Sequence, residues 1–99
     1  GVKIYASALK HGITPEEIRC VITYPLVMVP VVSRVFTDAR PALYVGRFNE
    51  NEPLIEVIAE TSGGTTAIFH AMLLRTATVQ HIGLEAYIRP GDLARNQRR

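Results

Sequence analysis

The first part of the chain has the apolar spacing of two short helices. Between residues 2 and 10, apolar side chains recur three and four positions apart, as on one face of a helix, and Gly12 follows as a stop signal. A second start signal comes at once, because Thr14 is a hydroxyl cap and Glu17 stands three positions later, where it can reach back to the cap. The pattern therefore predicts helices over residues 2–10 and 15–23.

From residue 26 onward, β-branched side chains and period-two alternation favour a sheet. Pro30 lacks an amide hydrogen, so its strand belongs at a sheet edge or at a bulge. The run Ser62-Gly63-Gly64 is a hairpin signal between the last two strands. The pattern predicts an antiparallel sheet of three or four strands, over residues 26–32, 42–48, 53–61 and 65–73, with a loop over residues 33–41.

Helical spacing returns over residues 76–88, although Gly83 costs about 1 kcal/mol there relative to alanine. The order of elements predicts an α+β fold with two N-terminal helices, a three- to four-stranded antiparallel sheet and a C-terminal helix. We expect one domain over residues 1–88. Residues 89–99 form a basic tail that we expect to be flexible or ordered only by a partner.

The composition fits a single cooperative domain and indicates the cellular compartment in which it works. The chain has 99 residues, of which 47% are hydrophobic and 20% charged. Its one cysteine, Cys20, cannot form an internal disulfide, and its position beside a helical stripe favours an inert packing thiol. The longest apolar stretch is seven residues and is interrupted by Pro30, too short to cross a membrane. We expect a soluble cytoplasmic protein that does not associate with membranes.

Charge is distributed unevenly along the chain. The formal net charge is +2, yet residues 1–88 carry seven basic and eight acidic side chains. The tail adds four arginines against Asp92 alone. We therefore do not expect the whole surface to bind nucleic acid. Any phosphate contact must come from a few basic residues in one place.

The candidate chemistry lies in histidines and isolated basic residues. No metal-ligand spacing, phosphate loop, dinucleotide fingerprint or nucleophile elbow occurs, so we expect no metal and no cofactor. The topology suggests that four features converge on one sheet face: His70, Arg47, Arg75 and the Lys10-His11 corner between the first two helices. Imidazoles transfer protons near neutral pH, and basic side chains stabilise the charge on a phosphorus-centred transition state. This set suits metal-independent cleavage of RNA.

Each of these residues also has a structural interpretation. The Lys10-His11 corner is equally compatible with a solvated helix terminus, and a strand histidine such as His70 is often a satisfied structural residue. Arg47 has an alternative as a cross-sheet partner of Glu56 or Glu60. His81, on the last predicted helix, is expected to have no chemical role.

Several segments together resemble a known family. These are KHGITPEEI at residues 10–18, ALYVGR at 42–47, LIEVI at 54–58, and AIFHAM at 67–72 followed by Arg75. In this order they resemble the BrnT-like toxins, ribonucleases of the RelE superfamily that are encoded beside an antitoxin in bacterial type II toxin–antitoxin pairs. The resemblance covers about residues 3 to 76.

The resemblance implies a cognate antitoxin that covers the active face, and binding to operator DNA only through the toxin–antitoxin complex. Lys10, His11, Arg47 and Arg75 fall at basic positions of the family pattern, whereas His70 replaces the small hydroxyl residue that is more usual there. In the resulting hypothesis, RNA is bound by Lys10, Arg47 and Arg75. His70 and His11 transfer protons, and Arg75 stabilises the transition state.

The hypothesis requires His70 and Arg47 to project from the same open side of the sheet, close enough to hold one phosphate. Two alternatives stay open. One is a non-catalytic binding or regulatory module on the same fold that forms a complex with a partner protein. The other is a homodimer formed through the exposed face, which would dissociate on dilution.

Overall fold

The computed structural model describes residues 1–31 and 40–98, and these residues form an α+β fold as the sequence predicts. The elements in chain order are β1 (Val2–Ile4), α1 (Ala6–Leu9), α2 (Pro15–Thr23), β2 (Val27–Pro30), β3 (Arg40–Gly46), β4 (Ile55–Ser62), β5 (Thr65–Leu73), α3 (Thr76–Ile82) and a short 3-10 helix (Glu85–Tyr87).

The sheet has five strands in the order β1-β5-β4-β3-β2, and it is mixed. Strands β2 to β5 pair antiparallel with their sequence neighbours, whereas β1 pairs parallel with β5, with Val2 opposite Thr66 and Ile4 opposite Ile68. The prediction of a helix over residues 2–10 is therefore wrong at its start. Pairing with β5 satisfies the backbone of Val2–Ile4 over a long sequence separation, and only Ala6–Leu9 is helical. The predicted all-antiparallel sheet is corrected by the same finding.

Helix α2 has the predicted bounds because its capping box forms. The Thr14 hydroxyl accepts a hydrogen bond from the Glu17 amide at 3.1 Å, and the Thr14 amide donates to Glu17 Oε1 at 3.0 Å. Its apolar stripe is buried at Ile18 and Val21, where it packs on the sheet in one hydrophobic core. This helix fixes the position of the turn that precedes it, which carries the Lys10-His11 corner.

Helix α3 is shorter than predicted. It ends at Ile82 because Gly83 adopts a left-handed conformation, with φ of 73°, and its amide donates to the carbonyl of Val79. The predicted continuation to residue 88 is replaced by the 3-10 helix Glu85–Tyr87. Gly83 thus acts as a helix end and not as a weak position inside a longer helix.

All four predicted strands are present, three of them with shifted ends, and β1 is a fifth strand that the sequence did not predict. Strand β5 has the predicted bounds, and β2 is an edge strand, which confirms the edge position expected of Pro30. Strand β3 begins at Arg40, two residues before the prediction. The predicted loop over residues 33–41 lies outside the described residues apart from Arg40 and Pro41, which belong to β3.

The sheet separates two hydrophobic cores. The side chains of Ile55 and Val57 face α1 and α2 on what we call the α1/α2 face. Leu43 and Val45 contribute to the core on the opposite side, which contains Val79 of α3 and is called the α3 face. Because side chains alternate along β4, Glu56 belongs to the α3 face.

The C-terminal tail is tied to the sheet and to α2. The Gln97 side chain donates to the Leu73 carbonyl at 2.9 Å and accepts from the Leu73 amide at 2.8 Å. The Arg98 guanidinium donates to Glu17 Oε1 at 2.6 Å, and this contact and the Thr14 hydrogen bonds lower the pKa of Glu17 although burial opposes it. The described residues of the tail thus contact the sheet and α2, and the expectation of a tail that is flexible or ordered only by a partner stays a prediction. Within residues 1–31 and 40–98, the helices are too short and too polar to span a bilayer.

Candidate functional site

A buried carboxylate organises the cluster of functional side chains on the α3 face. The Glu56 side chain is fully buried and accepts hydrogen bonds from three residues. Arg75 donates from Nε at 3.1 Å, from Nη2 at 2.9 Å and from its backbone amide at 2.9 Å. The Thr78 hydroxyl donates at 2.8 Å, and His70 Nε2 lies 2.8 Å from Oε2. The carboxylate therefore fixes two candidate residues, His70 and Arg75, in one arrangement.

The charge state of Glu56 determines which ring nitrogen of His70 carries the hydrogen that lies between the two side chains. Burial alone would raise the pKa of Glu56, but the hydrogen bonds from His70, Arg75 and Thr78 lower it to about 2. The carboxylate is therefore ionised at neutral pH and only accepts. The hydrogen in the short contact with His70 must then lie on Nε2, which leaves the lone pair of the neutral ring on Nδ1.

An irregularity in β5 brings His70 to this face. Ile58 pairs with His70 while Ala59 pairs with Ile68, so Phe69 is an extra residue in β5. Ile68 is buried in the core of the α1/α2 face, and His70 turns toward Glu56 on the α3 face with 23% of its side chain exposed. The imidazole is thus anchored by the buried carboxylate and still reachable from solvent.

A second imidazole lies next to the first. His11 follows α1, and its ring centroid is 6.3 Å from that of His70, with an angle of 66° between the rings. His11 is half-buried, and the neighbouring Lys10 is exposed. The predicted proximity of the Lys10-His11 corner to His70 is therefore present for His11, through a helix turn that meets the edge of the sheet.

Arg75 supplies a cation at the same place. It lies two residues after the end of β5, and its hydrogen bonds to Glu56 raise the pKa of its guanidinium above the usual value. Nε and Nη2 form the fork on the carboxylate, whereas 45% of the side chain remains exposed. A cleft of about 930 Å³ opens beside Arg75 and Glu56, between the sheet and α3. A phosphate could approach the guanidinium from this side.

Arg47 does not belong to the cluster. Its Nη2 donates to Asp92 Oδ1 at 3.1 Å, and both side chains are largely buried. In the strand register Arg47 is level with Leu54, whereas His70 is level with Ile58 two strands away. That separation is roughly 13 Å along the strands and about 10 Å across them. The prediction that Arg47 and His70 hold one phosphate is therefore wrong, although both lie on the same face.

Two acidic residues that organise this face were missed or misassigned at the sequence level. Burial would raise the pKa of Asp92, but the Arg89 amide and the Arg47 guanidinium lower it, so Asp92 is an ionised anchor of the tail. Glu56 was considered only as a partner of Arg47. The available signal for Glu56 was that its two neighbours on the same strand face, Leu54 and Ile58, are apolar.

The other candidates have peripheral positions. Cys20 is half-buried, and its thiol lies 3.9 Å from the carbonyl of Arg47. His81 is exposed on α3. Among the residues that the structure describes, there is no group of three or more His, Cys, Asp or Glu side chains that could hold a metal ion.

Comparison of the chain with protein-family models, with curated proteins and with solved structures gives no match. We therefore infer the function from the geometry of one cluster of side chains, which contains His11, Glu56, His70, Arg75 and Thr78.

Proposed function

We propose that this protein is an endoribonuclease that cleaves RNA by attack of the 2′-hydroxyl, without a metal ion. The observation that supports this proposal most directly is the pairing of His70 with the buried carboxylate of Glu56, 2.8 Å away, while a second imidazole lies at a centroid distance of 6.3 Å. Two imidazoles next to an arginine supply a base, an acid and a cation, which are the groups that this reaction needs.

In the proposed mechanism, His70 Nδ1 removes the proton from the ribose 2′-hydroxyl. The 2′-oxygen then forms a bond to phosphorus, and the bond between phosphorus and the 5′-oxygen breaks. Protonated His11 donates its proton to the departing 5′-oxygen. The products are a 2′,3′-cyclic phosphate and a 5′-hydroxyl, so no water or redox partner is consumed in this step.

The assignment of His70 as the base follows from its contact with Glu56. A histidine whose Nε2–H donates to a fixed carboxylate is held in one tautomer, with the other nitrogen able to accept a proton. Glu56 is a positioning residue, because it is buried behind His70 and Arg75 and cannot touch the substrate. Arg75 stabilises the extra negative charge on the phosphoryl oxygens, and Lys10 contributes a positive charge beside His11.

We further propose that the chain is the toxin of a bacterial type II toxin–antitoxin pair of the BrnT-like kind within the RelE superfamily. The ordered segments described above support this proposal. The α+β layout with α1 and α2 on one face and α3 on the other is compatible with it. A cognate antitoxin would cover the His11–His70 region, and operator DNA would be bound only by the complex.

Expression without the neighbouring gene tests this proposal. We expect the wild-type chain to stop growth and to degrade cellular RNA, and His70→Ala to do neither at equal expression. Gln80→Ala is the matched control, because Gln80 is exposed on the same helix α3 but does not line the cleft beside Arg75, whereas His81 does. Unchanged growth and intact RNA with verified wild-type expression would contradict the proposal.

A second candidate is a non-catalytic binding module that forms a complex with a partner protein. It is favoured by the observation that Glu56 satisfies both His70 and Arg75, as in a purely structural ion network. The two candidates differ in the behaviour of His70→Ala. If His70 is catalytic, the wild-type chain cleaves RNA and His70→Ala does not, whereas a binding module has no cleavage to lose. Both candidates predict a lower melting temperature for His70→Ala, because His70 donates to the buried carboxylate of Glu56.

A further inference from the structure

An exposed aromatic pair lies next to the proposed active site. Tyr5 and Phe69 are stacked, with ring centroids 4.8 Å apart and an angle of 11° between the rings. Each side chain remains 36% exposed although both are large and largely apolar. The Lys3 ammonium lies 4.8 Å from the centroid of the Tyr5 ring, so the pair carries a positive charge beside it.

The backbone places this pair beside His70. Phe69 is the extra residue of the β5 bulge and directly precedes His70 in the chain. Tyr5 follows β1, where its amide donates to the Ile68 carbonyl at 3.0 Å, and the Ser7 hydroxyl donates to the Phe69 carbonyl at 2.6 Å. These hydrogen bonds hold the two backbones next to each other, and the two rings stack on one another to form one surface.

The register also indicates on which side the surface lies. Ile4 pairs with Ile68, and both belong to the core of the α1/α2 face. Lys3 and its partner Ala67 must therefore point to the α3 face, because side chains alternate along a strand. Lys3 lies over Tyr5, so the charged end of the aromatic pair is on the same face as His70 and Arg75.

We propose that the stacked rings of Tyr5 and Phe69 form a platform for an unpaired base of single-stranded RNA. The base stacks on Phe69, because Tyr5 lies between Phe69 and the ammonium of Lys3, and Lys3 is near the adjoining phosphate. The inference rests on the ribonuclease proposal, and it assigns the nucleotide that flanks the cleaved bond to this surface. Exposed aromatic rings beside cations are how proteins bind single strands without a strict sequence preference, because every base has a flat face. A duplex offers no such base, so the platform selects unpaired RNA.

Binding is measured with a fluorescently labelled RNA of about eight nucleotides whose sugars are all 2′-O-methylated, so that it cannot be cleaved. Phe69→Leu and Tyr5→Leu keep apolar bulk but remove a ring face. The matched control is Tyr87→Leu, because Tyr87 is 75% exposed on the 3-10 helix. We expect roughly tenfold weaker binding for each platform variant and wild-type binding for the control. Phe69→Tyr should keep the affinity, and melting temperatures identify any variant that fails to fold.

The outcomes separate the platform from catalysis. Platform-dependent binding by a wild-type chain that does not cut cleavable RNA leaves the platform standing and contradicts the ribonuclease proposal. Cleavage with equal binding by Phe69→Leu, Phe69→Tyr and wild type overturns the platform and leaves the ribonuclease proposal standing. The platform is also overturned if the wild-type chain binds a duplex of the same sequence as tightly as the single strand.

Discussion

Replacement of Glu56 by glutamine should destabilise the protein strongly at neutral pH. The amide has the size of the carboxylate, but its NH2 group is a donor placed among the donors of His70, Arg75 and Thr78. The guanidinium of Arg75 would also lose its counter-charge. Removal of one partner from a buried ion network costs about 3 to 5 kcal/mol, which is a large part of the 5 to 15 kcal/mol that stabilises a typical domain.

The lowered pKa of Glu56 reflects the same hydrogen bonds and corresponds to a similar free energy. The pKa falls from the ordinary value of 4.5 to about 2 on folding. Each pKa unit corresponds to about 1.4 kcal/mol, so the ionised carboxylate contributes about 3 kcal/mol at neutral pH. Because the folded-state pKa is the lower one, this stability is complete above pH 4.5. It decreases as the pH falls toward 2 and is absent below that value.

The assay is urea unfolding followed by circular dichroism, for wild type and Glu56→Gln, at several pH values between 7 and 2. We expect the difference in unfolding free energy to be about 3 kcal/mol at pH 7 and to shrink through the interval from pH 4.5 to 2. Other acidic groups, such as Glu17 and Asp92, titrate in both proteins and cancel in the difference. Glu60→Gln is the matched control, since it makes the same change at a half-buried position of the same strand. A difference that does not depend on pH, or an equal loss in the control, would show that the ionised carboxylate of Glu56 is not the source of this stability.

Three further predictions concern other parts of the chain. Thr14→Ala should lower the unfolding free energy by about 1 kcal/mol through loss of the capping box, and Thr23→Ala at the other end of α2 should cost less in the same urea assay. Asp92→Asn should cost on the order of 1 to 3 kcal/mol, because Arg47 loses its counter-charge and one of the two oxygens that accept from Arg47 and the Arg89 amide becomes an NH2 donor. A melting temperature equal to that of wild type would argue against a structural ion pair. Nitrogen-15 NMR should find a hydrogen on Nε2 of His70, whereas a ring that carries its hydrogen on Nδ1 alone would contradict the donation to Glu56.

The elements with strong local signals could be predicted from the sequence. The bounds of α2 follow from Thr14 and Glu17, whose side-chain contacts involve neighbours in the chain. The hairpin glycines Gly63 and Gly64 both have positive φ and fix the start of β5. The strand Val2–Ile4 could not be predicted in this way, because three residues with helical apolar spacing become a strand only through pairing with β5.

Several residues of the candidate site could be predicted from the sequence, but the contacts between their side chains could not. The sequence predicts His70, Arg75 and His11 as candidate site residues, and the structure places His70 and Arg75 on Glu56 with His11 beside His70. It did not indicate that Glu56 joins them, since ion pairing depends on which side chains share a face after the bulge at Phe69. Arg47 was assigned to the site because of its strand position, but Asp92 comes from a tail whose polar composition gave no sign of docking.

The chemical ends of a cleaved RNA are the most direct test of the proposed attack by the 2′-hydroxyl. The purified protein is incubated in EDTA with a short RNA and with the same RNA carrying one deoxyribose at the cleaved nucleotide. The proposed mechanism predicts 2′,3′-cyclic phosphate and 5′-hydroxyl ends from the first RNA, no cut at the substituted nucleotide, and loss of cleavage in His70→Ala. An intact first RNA, 5′-phosphate ends, cleavage at the deoxyribose, or undiminished activity of His70→Ala would contradict it.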